Sequence, residues 1–177
     1  QAAPDLRCKL FLVGDSARLK PLLPAALPPN VEVVHASQQV EMGEKPLDAY
    51  RKKKDSSLMV ACHLVKDGQA KAMVSAGNTG AASATSLLVW RQLDGIHRPA
   101  IASTMPNHHG GYLLIDSGAS PDVDPEHLVE FAIMGRAYCQ KLMGRPDPMV
   151  HLLNIGEEEG KGNAFSKEVY KLLSKHP

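Results

Sequence analysis

The chain has 177 residues and a formal net charge of +1, with 20 Lys and Arg against 19 Asp and Glu, so nothing points to bulk attraction to nucleic acid or to an anionic membrane surface. Hydrophobic residues make up 44% and charged residues 22%, which excludes a disordered chain and supplies enough apolar material for a proper core. Cys8, Cys62 and Cys139 lack the close spacing of a disulfide framework or a thiolate zinc site and read as reduced packing residues of a cytoplasmic protein, and no apolar run reaches the about 18 residues of a membrane-spanning helix.

In chain order, KLFLVGD (9–15) predicts a short apolar strand ending in a Gly-Asp turn. SARLKPLLPAAL (16–27) predicts a helix capped by Ser16 and cut short by Pro21 and Pro24. VEVVHA (31–36) is the next predicted strand. PLDAYRKKKDSSLMVACHLVKDG (46–68) predicts one or two helices. Ser56 or Ser57 is the cap of the second, Leu58, Val60, Ala61, Leu64 and Val65 its apolar face, and Gly68 its stop. The charged run RKKKD (Arg51 to Asp55) reads first as a solvated helix face and second as a partner site.

KAMVSAG (71–77) predicts a buried strand, and TGAASATSLLVWRQL (79–93) a helix whose first residues are small enough for close packing. AIASTM (100–105) and YLLIDSG (112–118) predict two strands joined by a turn-rich segment containing His108 and His109, a pair read as incidental. DPEHLVEFAIMGRAYCQKLMG (124–144) predicts a long helix capped by Asp124, with Pro125 in its first turn and Leu128, Phe131, Ala132, Gly135 and Cys139 inward. PMVHLLNIG (148–156) predicts a last strand and GNAFSKEVYKLL (162–173) a last helix. Strands alternating with helices predict an α/β fold with a mostly parallel sheet, in one domain spanning residues 1–177. The chain begins with Gln1 close to a strand and ends soon after a helix, so an incomplete portion of a larger enzyme is the expectation.

Ligands of such folds bind beyond the carboxyl ends of strands, and three predicted strand ends are rich in glycine and polar residues. In the first, Ser75, Gly77, Asn78, Thr79 and Gly80 combine close backbone approach, hydroxyl and amide donors and a helix start, the parts of an anion cradle. A capped helix with glycines for packing is the competing explanation. The pattern is neither a Walker A sequence nor G-x-G-x-x-G, so a nucleotide is not the default ligand. In the second, Asp116 can orient a lysine or hydroxyl, bind a metal with Asp122 or Asp124, or organise a turn. In the third, Asn154, Gly156, Lys161 and Asn163 surround Glu157, Glu158 and Glu159, so that Lys161 either neutralises a phosphate in a mobile loop or pairs with those carboxylates in water. The carboxylates are a weak metal signal. No G-x-S-x-G elbow supports a hydrolase triad.

The segments EVVHASQQVEMGEKP, RKKKDSSLMVA, VSAGNTGA, RPAIASTMP, LLIDSGAS, PEHLVEFAIMG and LLNIGEEEGKGN occur in this order. Together they resemble the bacterial phosphate acyltransferase family of phospholipid synthesis (PlsX), from about Leu12 to Leu173. The resemblance implies a Rossmann-like α/β/α sandwich similar to isopropylmalate dehydrogenases and phosphate acetyltransferases. It implies transfer of a long-chain fatty acyl group from acyl carrier protein to inorganic phosphate, giving acyl phosphate, with no cofactor and no metal. Ser75, Asn78 and Thr79 would position phosphate, Lys161 would neutralise charge, and Asn154 or Asn163 would donate to the developing oxyanion. Asp116, Gly156 and Ser120 complete the implied substrate contacts, with Ser120 standing where the family pattern leads one to expect Asn. The family further implies a cytoplasmic homodimer that touches the membrane peripherally, through a region outside this chain. Its opening strand would precede residue 1 and much of its length would follow residue 177. A phosphate acetyl- or butyryltransferase-like enzyme using acyl-CoA is the alternative, followed by a non-catalytic phosphate-binding module. A decarboxylating dehydrogenase on the same kind of fold is disfavoured, because the loops lack clustered aspartates with an arginine set.

Overall fold

A computed structural model describes residues 5–108, 110–120, 122–156, 158 and 161–176. It is an α/β structure that divides into two compact units, residues 1–91 and 92–177.

In the first unit, β1 (Leu10–Gly14) and β2 (Val31–His35) form a parallel pair, in register from Leu10 opposite Val31 to Gly14 opposite His35. Between them runs α1 (Ser16–Leu19), which passes into a 3₁₀ turn at Lys20–Leu22, where Pro21 fits the first turn of a tighter helix. Its cap is Asp15, whose Oδ1 accepts from Ala17 N at 2.9 Å, and not the predicted Ser16. The sequence 46–68 resolves into two helices, α2 (Pro46–Lys52) and α3 (Ser57–Lys66). Ser56 caps α3 through an acceptor bond from Met59 N, and Gly68, at φ +74°, ends it in the left-handed region.

Helix α4 (Thr79–Trp90) packs on both α2 and α3. Its small first turn serves that contact. Ala81 is fully buried, and a Cβ at Gly80 would meet Pro46 Cγ at 2.9 Å. The core here is Met59, Cys62 and Val89, with Tyr50, Leu58 and Met73 against it. Trp90 Nε1 donates to the Cys62 carbonyl at 2.8 Å and ties the end of α4 to α3.

In the second unit, β3 (Ser103–Met105) and β4 (Tyr112–Leu114) form the predicted strand pair as an antiparallel ladder, Ser103 opposite Leu114. Helix α5 (Pro125–Leu142) lies against β4, where Gly135 lets the Ile115 side chain approach. Its inward residues are Phe131, Gly135 and Cys139 as predicted, with Leu128 and Ala132 half-buried. Asp124 N donates to His127 Nδ1 at 2.9 Å at its start. Helix α6 (Ala164–Leu173) packs on α5 and buries Val169 completely.

Two predicted strands, 71–77 and 148–156, form no ladder among the described residues. Val74 is 98% exposed, and Met149, Leu153 and Ile155 are likewise bare. An apolar run states a preference for burial. A strand also needs a partner backbone alongside, and neither segment has one here. Among the described residues the parallel ladder is that of β1 and β2, with one isolated parallel bridge between Gln38 and Ser56. Among the described residues no helix is long and apolar enough to cross a membrane.

Candidate functional site

The glycine loop 75–80 leads into α4. Ser75, Gly77, Thr79 and Gly80 are exposed, and Asn78 is half-buried. Asn78 is the helix cap, its Oδ1 accepting from Ala81 N at 2.9 Å, while Ala82 N donates to the Asn78 carbonyl. The amides of Thr79 and Gly80 precede these bonds and are the two orphan donors that the helix start offers a ligand. Ser75 Oγ accepts a long bond, 3.4 Å, from Gly77 N. The carboxamide nitrogen of Asn78 does not face open water. It donates to the carbonyls of Glu41, Met42 and Glu44 at 3.2, 3.0 and 3.0 Å.

Those three carbonyls belong to a loop that is also held from its other side. Glu44 Oε1 accepts from Glu41 N at 2.8 Å and from Lys53 Nζ, and Lys53 Nζ also reaches the Gln39 carbonyl at 2.5 Å. The Lys53 bond, helped by the Glu41 amide, holds the Glu44 carboxyl below its ordinary value against a smaller opposing effect of burial. A depressed carboxylate pKa stabilises the fold above the unfolded-chain value, about 4.3, and that stability is lost as pH falls through the lower folded value. Cleavage by pepsin within residues 39–45, taken relative to an unstructured reference peptide at each pH, should therefore rise as pH drops below about 4. Glu44→Gln should flatten that dependence. A pH-independent cleavage rate in the parent chain would remove Glu44 from the account.

A second polar cluster closes the carboxyl end of β2. Asp55 Oδ2 accepts from Ser37 N at 2.8 Å and Ser37 Oγ at 2.5 Å, and these bonds lower its pKa. His35 Nδ1 faces Ser16 N at 3.2 Å and Ser16 Oγ at 3.0 Å. Because the Ser16 amide donates, Nδ1 is the unprotonated nitrogen of the ring. Neither pair was singled out by sequence; the polar run His35 to Gln39 after an apolar strand was the available signal.

In the second unit Asp116 is a turn organiser. Oδ1 accepts from Ile101 N at 2.7 Å and Ala119 N at 3.1 Å, and Oδ2 accepts from Ser120 N at 2.9 Å. Of the roles open in the sequence, this one uses both oxygens on backbone and places Ser120 through its amide. Ser117 Oγ, bonded to the Ile101 carbonyl and to Ser103 Oγ, reinforces the same turn.

In the third loop a cleft of about 480 Å³ is lined by Leu128, Leu152, Leu153, Ile155 and Phe165, with Asn154, Asn163 and Ser166 as its polar groups. It is open to solvent, with Leu153 and Ile155 84% and 85% exposed. Asn163 caps α6, its Oδ1 accepting from Ser166 N at 2.8 Å. Its Nδ2 has no partner among the described residues. Asn154 Oδ1 accepts from Ile155 N at 2.9 Å, and its Nδ2 makes only a 3.4 Å contact to the Lys161 carbonyl. Lys161 N donates to the Glu158 carbonyl at 2.9 Å, closing a turn, while Lys161 Nζ stands 4.0 Å from Glu158 Oε1 with both side chains mostly exposed. Gly156 admits the Lys161 stem, since a Cβ there would meet Lys161 Cγ at 2.9 Å. Glu157, Glu159, Gly160 and His109 lie outside the described residues. Among those described, no group of three or more His, Cys, Asp or Glu stands ready for a metal ion.

The comparisons with known proteins are specific. The family described as fatty acid synthesis protein matches residues 1–177, and the chain belongs to that family. The phosphate acyltransferase of Desulfitobacterium hafniense (strain Y51) is 49% identical over 170 residues, covering 96% of this chain and 51% of that protein. The phosphate acyltransferases of Heliobacterium modesticaldum and Aquifex aeolicus are each 46% identical, over 100% and 97% of this chain and 54% and 52% of their own lengths. The chain thus spans about half the length of the curated relatives it matches.

Proposed function

We propose that the chain is part of an enzyme that transfers a long-chain fatty acyl group from acyl carrier protein to inorganic phosphate. The observation that carries the proposal is the cleft of the third loop, an apolar trough with Asn154, Asn163 and Ser166 as its polar groups. A thioester offers the same two faces, a carbonyl oxygen and an apolar tail. The relatives named phosphate acyltransferase support the acceptor.

In this reading a phosphate oxygen attacks the thioester carbonyl carbon, and the C–S bond breaks as the carbonyl reforms. The thiolate leaves on the carrier and takes up, directly or through water, the proton that hydrogen phosphate gives up on acylation, so one acyl phosphate and one thiol are made per turnover. Asn163 Nδ2, which has no partner among the described residues, donates to the oxyanion that forms during attack, with Asn154 beside it in the cleft lining. Lys161 neutralises charge on the transferred group. Ser75 Oγ, Thr79 Oγ1 and the amides of Thr79 and Gly80 are the phosphate donors. The proposal includes the Rossmann-like α/β/α sandwich, the homodimer and the peripheral membrane contact that the family resemblance implies.

The test is to incubate the full-length protein with long-chain acyl carrier protein and phosphate. Acyl phosphate, trapped with hydroxylamine, should appear one-for-one with free carrier thiol. Absence of acyl phosphate overturns the proposal. A faster reaction from short-chain acyl-CoA would move the assignment to an acetyl- or butyryltransferase-like enzyme.

A further inference from the structure

We infer that Asn78 is a positioning residue, latching the Glu41–Glu44 loop onto the start of α4 and setting the geometry of the glycine loop through that latch. The inference rests on the proposed role of residues 75–80 in phosphate binding. Its carrier is the division of labour within one side chain. The acceptor oxygen caps α4 through Ala81 N, and the donor nitrogen is shared by three backbone carbonyls 34 to 37 residues away in sequence.

An amide nitrogen has two hydrogens, and three carbonyls already surround this one. No side-chain donor of Asn78 is left over for an anion. A phosphate at the helix start would meet the Thr79 and Gly80 amides and the hydroxyls, while Asn78 sits behind them. The latched loop is itself stiffened from the far side, where Lys53 Nζ bonds Glu44 Oε1 and the Gln39 carbonyl. Among the described residues the bonds of the Lys53 ammonium go to Gln39 and Glu44 and none to residues 75–80, so the loop can be loosened without removing a bond of the glycine loop. Gly80, in van der Waals reach of Pro46 at the start of α2, leaves the same region little room to adjust.

The cap and the latch are separable by substitution. Asn78→Asp keeps a carboxylate oxygen to accept from Ala81 N, and Asp is as good a cap as Asn, so α4 retains its start. It loses every donor and sets a negative charge against three carbonyl oxygens. Lys53→Met releases the loop from the other side.

The experiment uses the full-length protein with inorganic phosphate as the probe, reading two quantities for each single variant and for the double variant. One is backbone hydrogen exchange of residues 39–45 without ligand. The other is KM for phosphate beside kcat. The expected result is that both single variants speed exchange at 39–45 at least tenfold. Both should raise KM for phosphate about tenfold while kcat changes less than threefold, and the double variant should be no worse than the poorer single, because residues acting through one loop do not add.

A rise in KM for Asn78→Asp with unchanged exchange means that Asn78 touches the anion directly, which overturns the inference. Faster exchange with an unchanged KM in Lys53→Met also overturns it, by uncoupling the loop from the site. If the parent enzyme shows no saturable dependence on phosphate, the functional reading falls instead. Exchange alone then judges the latch, which stands if residues 39–45 are released in both variants and falls if they are not.

Discussion

Replacing Lys161 with Met should lower kcat/KM for acyl phosphate formation by roughly 10- to 150-fold in the full-length enzyme. A charge-assisted hydrogen bond to the transferred group contributes about 1.5–3 kcal/mol, and each 1.4 kcal/mol is tenfold in rate. The competing role is that of a surface partner of Glu158. Lys161 Nζ lies at the outer limit of an ion pair with Glu158, 4.0 Å away, and both side chains are more than half exposed. Such a pair is worth about 0–1 kcal/mol, too little to occupy the ammonium. The backbone of Lys161 is fixed meanwhile by its bond to the Glu158 carbonyl. Glu158→Gln should accordingly cost less than twofold. The comparison is decisive in one direction: if Lys161→Met also loses only about twofold, the lysine is a surface partner and the charge on the transferred group is met elsewhere.

Gly162→Ala should disorganise the start of α6 far more than a methyl added at Gly156. Gly162 has φ +91°, outside the range that L-residues adopt at ease. A Cβ there would come within 2.2 Å of Ser166 Oγ and 2.8 Å of both side-chain atoms of the Asn154 amide. Backbone strain costs about 1–3 kcal/mol and overpacking a similar amount. Partial relaxation leaves about 2–4 kcal/mol, so amides in the first turn of α6 should exchange roughly 30- to 900-fold faster. Ser166 cannot simply rotate away, because its hydroxyl is bonded to the Asn163 carbonyl. The control is Gly156→Ala, where the new methyl meets the Glu158 and Lys161 side chains, which can swing aside. Exchange in α6 that differs by less than threefold between Gly162→Ala and the parent would show that the loop has another conformation open to it.

Local signals in the sequence located most helices. Asp124 followed by Pro125 and a stripe at helical spacing gave α5 nearly residue for residue, and the Ser56-Ser57 pair before an apolar face gave α3, the structure choosing Ser56 as the cap. These features act over one to four residues, and so sequence order is enough to read them. The strands at 71–77 and 148–156 were misjudged for the opposite reason. Val74 and Ile155 belong to apolar runs, yet a ladder depends on a neighbour that no local pattern specifies. The same distinction applies to the site. Glycines and polar residues marked all three loops. What each side chain holds was not readable, because the partners of Asn78 lie 34 to 37 residues away and Asp116 reaches 15 residues back to Ile101. Lys53 was read as part of a solvated run because charge patterning cannot distinguish one lysine of three; only the fold selects the one beside Glu44.

The bond from Trp90 Nε1 to the Cys62 carbonyl has a spectroscopic consequence. Trp90 is the chain's single tryptophan, 38% exposed, at the end of α4 where that helix meets α3. Its indole emission therefore reports on one place alone. Separation of α3 from α4 breaks the bond and admits water to the ring, shifting emission to the red, whereas melting within residues 92–177 has no tryptophan of its own to announce it. Circular dichroism sums the helices of both units, so in a single unlabelled sample a loss of helix signal with no change in tryptophan emission would mark melting of α5 and α6.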